Sequence, residues 1–189
     1  MEIALTLNKE ISHSKVTARI LGISAFVILT ALGAFVRIPL PFSPVPFTLQ
    51  TFFVLLGAAA LGKNRGAIVQ SAYVFLGALG LPIFSGAGSG LVYLTGPTAG
   101  YLLGFIAASL FIGKALDRVV SKFSVFLVFL AGELLILGVG AFWLKALLRV
   151  SFNQALAMGV IPFIFPDILK AAIAAGVYQK IKTRCKEVF

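Results

Sequence analysis

The chain has few of the residues that build disulfide-stabilised domains or metal centres. Its 189 residues include one cysteine, Cys185, and one histidine, His13. A lone cysteine cannot form a disulfide framework within the chain. One histidine and one cysteine are also too few for a typical zinc site. We therefore expect neither a resident metal ion nor a cofactor.

Charged residues are scarce as well. They make up 12% of the chain, whereas hydrophobic residues make up 60%, and the mean hydropathy is +1.06. A soluble domain is about half apolar and about a quarter charged, so the chain does not fit that class. The net charge is +10, but no basic stretch alternates with aromatic residues as in nucleic-acid-binding folds. The composition predicts an integral membrane protein in contact with the lipid bilayer and argues against a nucleic-acid partner.

The apolar residues fall into six segments separated by polar or proline-rich stretches. We predict an all-α integral membrane protein, in which residues 1–189 form a single transmembrane domain with six transmembrane helices. The first apolar segment has no convincing cleavage site and is expected to remain as a helix. The connection Lys63-Asn64-Arg65-Gly66 is predicted to be a tight charged turn. The expected parts are a polar N-terminal tail at 1–15, spans at about 16–36, 48–62, 67–82, 97–113, 123–142 and 155–178, and a basic C-terminal tail at 179–189.

The basic residues are distributed unevenly between the two ends of such a bundle. On one side lie Lys9, Lys15, Arg19, Lys63, Arg65, Lys114, Arg118, Lys122, Lys180, Lys182, Arg184 and Lys186. Arg37, Lys145 and Arg149 lie on the other side, and Lys170 lies within a span. Because basic residues favour the cytoplasmic side, both termini are expected in the cytoplasm, with the chain in the cytoplasmic (inner) membrane.

Two unusual loops fall on the outer side in this topology. The segment 37–47 contains four prolines, which exclude a regular helix, so it is either a stiff connector or a lid. The segment 84–90 is rich in glycine and lacks the Lys-Ser or Lys-Thr ending of a phosphate-binding loop. Glycine lets a backbone approach a ligand closely. The segment is therefore either a ligand-binding loop or a flexible turn.

The last apolar segment carries an acid and a base, Asp167 and Lys170, three residues apart. That spacing places them on one face of a helix. Pro166 is predicted to begin this helix, with Asp167 in its first turn, where the helix dipole favours an anion. Charges within a membrane usually face a protein interior or a wet cavity, so the pair predicts an outward-facing binding pocket. An ion pair that only locks helices together is the alternative. Glu133 is a second acid within a span and has no base nearby in sequence.

Several motifs, in order and with similar spacing, resemble the BioY family, the biotin-binding S components of energy-coupling factor (ECF) transporters. The resemblance covers the chain from Val16 to Tyr178. The motifs that carry it are Ile38-Pro39-Leu40-Pro41, Pro44-Val45-Pro46-Phe47-Thr48-Leu49-Gln50-Thr51, Gly80-Leu81-Pro82-Ile83-Phe84, Gly96-Pro97-Thr98-Ala99-Gly100-Tyr101 and Gly159-Val160-Ile161-Pro162-Phe163-Ile164.

The resemblance implies a six-helix S-component-like bundle that captures biotin from outside and is not an enzyme. Partners would be a transmembrane coupling subunit and two ATPases, unless the chain works alone. The segment 37–47 would act as a lid, and small residues at Ala18 and Gly22, or at Thr30 and Ala34, would contact the coupling subunit. The implied substrate-binding residues are Asp167, Lys170, Ser85, Gly86, Ser89, Tyr93, Phe47 and Gln50.

Other functions are weighed against this one. An S component or carrier for another small vitamin-like solute would need the same kind of pocket. A membrane enzyme using Asp167 and Glu133 as paired carboxylates would have no histidine or metal ligand within a span. A subunit without its own ligand would not need Asp167 or the two outer loops. The role of Lys170 stays open: it could balance Asp167, donate to the ureido oxygen of biotin, or meet the biotin carboxylate.

Overall fold

The computed structural model describes residues 2–119 and 121–188, and the side chains of the described residues from position 15 onward, except at 186. The expectations that concern the side chains of Lys9, His13 and Lys186 lie outside the described residues. The helices are α1 Glu2–Phe35, α2 Gln50–Leu61, α3 Lys63–Ala78, α4 Gly90–Tyr93, α5 Ala99–Leu116, α6 Lys122–Leu148, α7 Phe152–Gly159 and α8 Ile161–Val188. Two short strands, β1 Arg37–Ile38 and β2 Phe47–Thr48, pair with each other.

Each of the six predicted spans contains a helix, and the predicted helical membrane bundle is confirmed. Four helical segments are long and apolar enough to cross a bilayer: Lys15–Phe35, Ala99–Leu116, Lys122–Leu148 and Ile161–Cys185. Helix α2 is apolar but shorter, with 12 residues. At 1.5 Å per residue it rises only about 18 Å. The residues predicted to form an N-terminal tail continue α1 toward its start instead of ending it.

The predicted charged turn at 63–66 is wrong. Helix α3 begins at Lys63, and Gly62 alone forms the corner after α2, with φ at +80°. Glycine adopts that conformation without steric cost, so one residue is enough to reverse the chain. The corner is also tight, because a side chain at Gly113 would collide with the backbone of Lys63. Helices α2, α3 and α5 therefore meet closely at this end of the bundle.

The prediction that Pro166 begins the last helix is also wrong. The segment 155–178 is broken at Val160, where φ is −128° and ψ is −57°, and α8 starts immediately after it. Pro162 occupies the first turn of α8, where a missing N–H costs nothing because that N–H would have no partner in the helix. Pro166 lies inside α8. Asp167 therefore lies beyond the first turn of α8. Its negative charge is stabilised by nearby side chains and not by the helix dipole.

Helix α2 forms the centre of the bundle and packs against α1, α3, α5 and α8. Every residue of α2 from Val54 to Leu61 is buried. Helices α5 and α6 approach closely through glycines, since Gly104 lies against the backbone of Ile136. This packing brings the start of α2, the middle of α8 and one wall of α5 to the same end of the molecule.

One of the two small-residue pairs proposed for subunit contact is not accessible. Thr30 and Ala34 are completely buried, and the Thr30 hydroxyl donates a hydrogen bond to the carbonyl of Phe26 at 2.8 Å. This pair faces the interior of the bundle, so the expectation that it contacts a coupling subunit is wrong. The contact proposed for Ala18 and Gly22 stays a prediction.

Candidate ligand-binding site

The proline-rich segment forms a closed hairpin, residues 37–48, whose two ends are held together by β1 and β2. Arg37 lies opposite Thr48 in this ladder. Ser43 closes the turn, because its hydroxyl accepts from the N–H of Val45 at 3.1 Å and donates to the same residue's carbonyl at 3.0 Å. The N–H of Leu49 donates to two carbonyls near the end of α1. The hairpin is thus fixed to the bundle at its base.

A cavity lies beneath this hairpin and is partly open to solvent; its empty space, including the open part, is about 530 Å³. Most of its wall is apolar, formed by Val45, Pro46, Tyr93, Tyr101, Leu102, Phe105, Ile136, Leu137 and Phe163. Its polar residues are Thr48, Gln50, Thr51, Ser85, Thr98, Asp167 and Lys170. An apolar cavity with a few positioned polar groups is the usual form of a site for a small organic molecule.

The ammonium group of Lys170 is buried and has three acceptors. Its Nζ lies 2.6 Å from Oδ1 of Asp167, 2.5 Å from Oγ1 of Thr51 and 3.3 Å from the carbonyl oxygen of Thr48. The contact with Asp167 is an ion pair, and the other two are hydrogen bonds that the ammonium donates. The Nζ atom also lies 4.7 Å from the centre of the Phe47 ring, in a cation–π contact. Lys170 therefore fastens the hairpin and the start of α2 to α8.

Glu133 of α6 belongs to the same charged cluster. It is only 1% exposed, and it interacts electrostatically with Asp167 and Lys170 and lies close to Thr51. Neither of its carboxylate oxygens has a hydrogen bond from the described residues. Nor do the described residues contain a group of three or more His, Cys, Asp or Glu that could hold a metal ion. Lys170 therefore forms an ion pair with Asp167, and Glu133 is a second buried acid near this pair.

A second set of hydrogen bonds connects the hairpin to the glycine-rich loop. The Thr48 hydroxyl donates to Oε1 of Gln50 at 3.3 Å, and Nε2 of Gln50 donates to the Tyr73 hydroxyl at 2.7 Å. Tyr73 in turn donates to the carbonyl of Ile83 at 2.8 Å. The chain of bonds runs from β2 through α2 and α3 to the residues preceding Ser85. These side-chain hydrogen bonds connect the hairpin to the start of the loop.

The glycine-rich loop, residues 84–90, is anchored by aromatic side chains. Phe84 is buried and stacks on Tyr93, with 4.7 Å between the ring centres. The Tyr93 hydroxyl donates to the carbonyl of Ser85 at 3.3 Å. The backbone N–H of Phe84 also closes the loop onto the carbonyl of Gly88 at 3.0 Å. The Oγ atom of Ser85 is buried and has no partner among the described residues, although Ser85 lines the cavity.

Most of the residues expected to bind ligand meet at this cavity. Its lining includes Asp167, Lys170, Gln50, Ser85 and Tyr93. The other three expected residues do not line it. Gly86 and Ser89 are exposed, and Phe47 packs on the ammonium of Lys170. Ligand contact by any of the eight stays a prediction.

The sequence analysis missed the wall formed by α5. Thr98, Tyr101, Leu102 and Phe105 all line the cavity. Their spacing of three and four residues defines one helix face, which could have been recognised from the single threonine among apolar residues. Ile136, Leu137 and Phe163 gave no such signal, because apolar residues occur on every face of a membrane helix.

The chain is similar to known proteins along almost its whole length. A family model described as the BioY family matches residues 6–187. A protein of Pyrococcus horikoshii described as a probable biotin transporter BioY is 39% identical over 85% of this chain and 93% of its own length. The biotin transporter BioY of Thermotoga maritima is 39% identical over 83% of this chain and 91% of its own length. A crystal structure of the S-component for biotin from an ECF-type ABC transporter superposes with a TM-score of 0.79, covers 93% of each chain and is 24% identical.

Proposed function

The chain belongs to the BioY family, and we propose that it captures biotin at the outer face of the cytoplasmic membrane for uptake into the cell. It does so as the substrate-specific S component of an ECF-type transporter or as a solitary transporter. The observation that carries the proposal is the cavity beneath the hairpin, whose largely apolar wall includes the buried Asp167. No Walker motif occurs in the sequence, so ATP-driven uptake would require a coupling subunit and two ATPase subunits from elsewhere.

The polar groups of the cavity complement the ureido ring of biotin. That ring presents two N–H donors and one carbonyl acceptor. Oδ1 of Asp167 is engaged by Lys170, and the second carboxylate oxygen can accept from a ureido N–H in a charge-assisted bond. The unpartnered Ser85 hydroxyl is a further donor available to the ligand. Lys170 is engaged by Asp167, Thr51 and Thr48, which supports a role in balancing Asp167 and holding the hairpin.

The apolar wall suits the rest of the molecule. The fused sulfur-containing ring and the aliphatic chain of biotin carry no hydrogen-bond donors, so they gain by leaving water for a hydrocarbon surface. Tyr101, Phe105 and Phe163 contribute to such a surface in the cavity.

Uptake of labelled biotin by cells that express the chain tests this proposal. We expect accumulation above that of cells with an empty vector, and inhibition by unlabelled biotin but not by other vitamins such as thiamin. Equal inhibition by an unrelated vitamin, or binding of labelled biotin to membranes of these cells no greater than to empty-vector membranes, would exclude biotin as the ligand.

Insertion of two glycines after Ser43 is expected to speed release of biotin. The prolines of the hairpin restrict its open conformations and so lower the entropic cost of closing it over the cavity. Glycines would remove that restriction. A chase with unlabelled biotin would measure the dissociation rate, and the same insertion after Arg118, at the other end of the bundle, serves as the control. An unchanged rate for the Ser43 insertion would remove the role of the hairpin as a lid.

The membrane orientation follows from the distribution of basic residues, with both termini in the cytoplasm. In a Cys185→Ser background, Asn64→Cys should react with a membrane-impermeant maleimide only after the cells are opened. Phe42→Cys, at a position 60% exposed in the hairpin, should react in intact cells. The reverse labelling pattern would invert the topology.

A further inference from the structure

The part of the cavity next to Asp167 and Lys170 is unsuited to a ligand carboxylate. Asp167 already forms an ion pair with Lys170 there, and the buried Glu133 interacts with both from outside the cavity lining. A ligand carboxylate would be repelled by the charge of Asp167 and would compete with Asp167, Thr51 and Thr48 for the ammonium of Lys170. Like charges at close range are strongly unfavourable in a site of low dielectric constant. A ligand with a ureido head and a carboxylate tail therefore places its tail toward the mouth.

Arg37 lies in the hairpin that covers the cavity, outside the cavity's own lining. It lies opposite Thr48 in the β1–β2 ladder, and directly opposed residues place their side chains on the same face of a hairpin. Thr48 lines the cavity, so the Arg37 side chain starts next to a lining residue. Its guanidinium crosses to the glycine-rich loop, where Nη1 occupies the place that a Cβ atom on Gly86 would take. The neighbouring Ser85 also lines the cavity.

The guanidinium of Arg37 has no other function in the packing of the protein. Among the described residues it has neither a hydrogen-bond acceptor nor an acidic partner, and the residue is exposed. The residue beneath it is a glycine with φ at +75°, so the loop offers it a flat backbone surface without a side chain. Arg37 thus extends from the hairpin to the glycine-rich loop near the opening of the cavity, and its N–H groups remain available to a ligand.

We propose that Arg37 binds the carboxylate of the ligand at the mouth of the cavity and so selects biotin over neutral analogues. The proposal rests on the proposed function. The planar fork of a guanidinium matches the two oxygens of a carboxylate, which a lysine or a neutral donor does not. The same bond would link the hairpin to the ligand and help to keep it closed.

Binding of biotin and of biotinamide to the purified full-length protein tests the assignment. Biotinamide has the same shape but no charge at its tail. The wild type should bind biotin about tenfold more tightly than biotinamide, as expected for a hydrogen bond to a charged group near the surface. Arg37→Gln should bind biotin about tenfold more weakly, bind biotinamide as the wild type does, and so lose the preference.

Two further variants test whether the preference depends on the position of Arg37. Lys145→Gln, which removes an exposed cation from α6, should keep the preference. Gly86→Ala, which displaces the guanidinium, should reduce it. An Arg37→Gln protein that keeps the full preference, or a Lys145→Gln protein that loses it, would overturn the role of Arg37. A wild type that binds neither ligand would instead refute the proposed function.

Discussion

The Lys170→Met variant should lose both folded protein and ligand retention, because this one side chain connects three parts of the site. Its Nζ contacts Asp167 on its own helix, Thr51 on α2 and the carbonyl of Thr48 in the hairpin. Methionine fills a similar length but leaves Asp167 and Glu133 buried together without a cation. Removing one partner from a buried ion pair costs about 3–5 kcal/mol. We expect a loss of unfolding free energy of that size in detergent.

Two measurements separate the effects of Lys170→Met. Chemical unfolding in detergent reports the loss of stability, and dissociation of labelled biotin from the remaining folded protein reports the loosened hairpin, which should release ligand faster. Lys180→Met removes an exposed lysine from the same helix and should change neither quantity. A Lys170→Met protein as stable and as retentive as the wild type would show that the cluster does not fasten the hairpin.

The Asp167→Asn variant should bind biotin about ten- to hundredfold more weakly. Asparagine keeps the shape and one acceptor oxygen but loses the charge, and hydrogen bonds to charged groups contribute about 1.5–3 kcal/mol. Folding should suffer less than in Lys170→Met, because Thr48 and Thr51 still accept hydrogen bonds from the ammonium of Lys170. Titration of the folded fraction alone measures this affinity. Wild-type affinity in folded Asp167→Asn would end its assignment as a binding residue.

Combining the two substitutions distinguishes a binding role from a purely structural one. Asp167 and Lys170 are in contact, so the double variant should cost less than the sum of the single variants. If the pair served only to lock helices, both single variants would lose folded protein while their folded fraction bound biotin normally. The binding-site assignment requires instead that Asp167→Asn weakens binding in protein that is fully folded.

The spacing of Asp167 and Lys170 predicted a shared helix face correctly, but their other contacts could not be predicted from the sequence. Thr48 and Thr51 lie 122 and 119 residues from Lys170 in the chain. Glu133 had no base near it in sequence and acquires one only when α6 packs against α8. Contacts of this kind depend on how helices are arranged in the bundle, and the periodicity of one segment carries no information about its neighbours.

The start of the last helix shows a different limit. Pro162 and Pro166 both fit the rule that proline favours the first turn, and the rule does not choose between them. The helix breaks at Val160, so α8 begins just after it and Pro162 lies in the first turn. The residues around the break are apolar, and none of them is a polar helix-capping residue that would have predicted it. In the same way, Gly62 was overlooked because the charged residues at 63–66 looked like a turn, although they form the first turn of α3.

Equilibrium binding of labelled biotin to the purified full-length protein in lipid nanodiscs tests the central claim most directly. The account predicts saturable binding to a single site, competition by unlabelled biotin, and about ten- to hundredfold weaker binding in folded Asp167→Asn. Absence of saturable binding by the folded wild type, or equal binding by the wild type and folded Asp167→Asn, would contradict it.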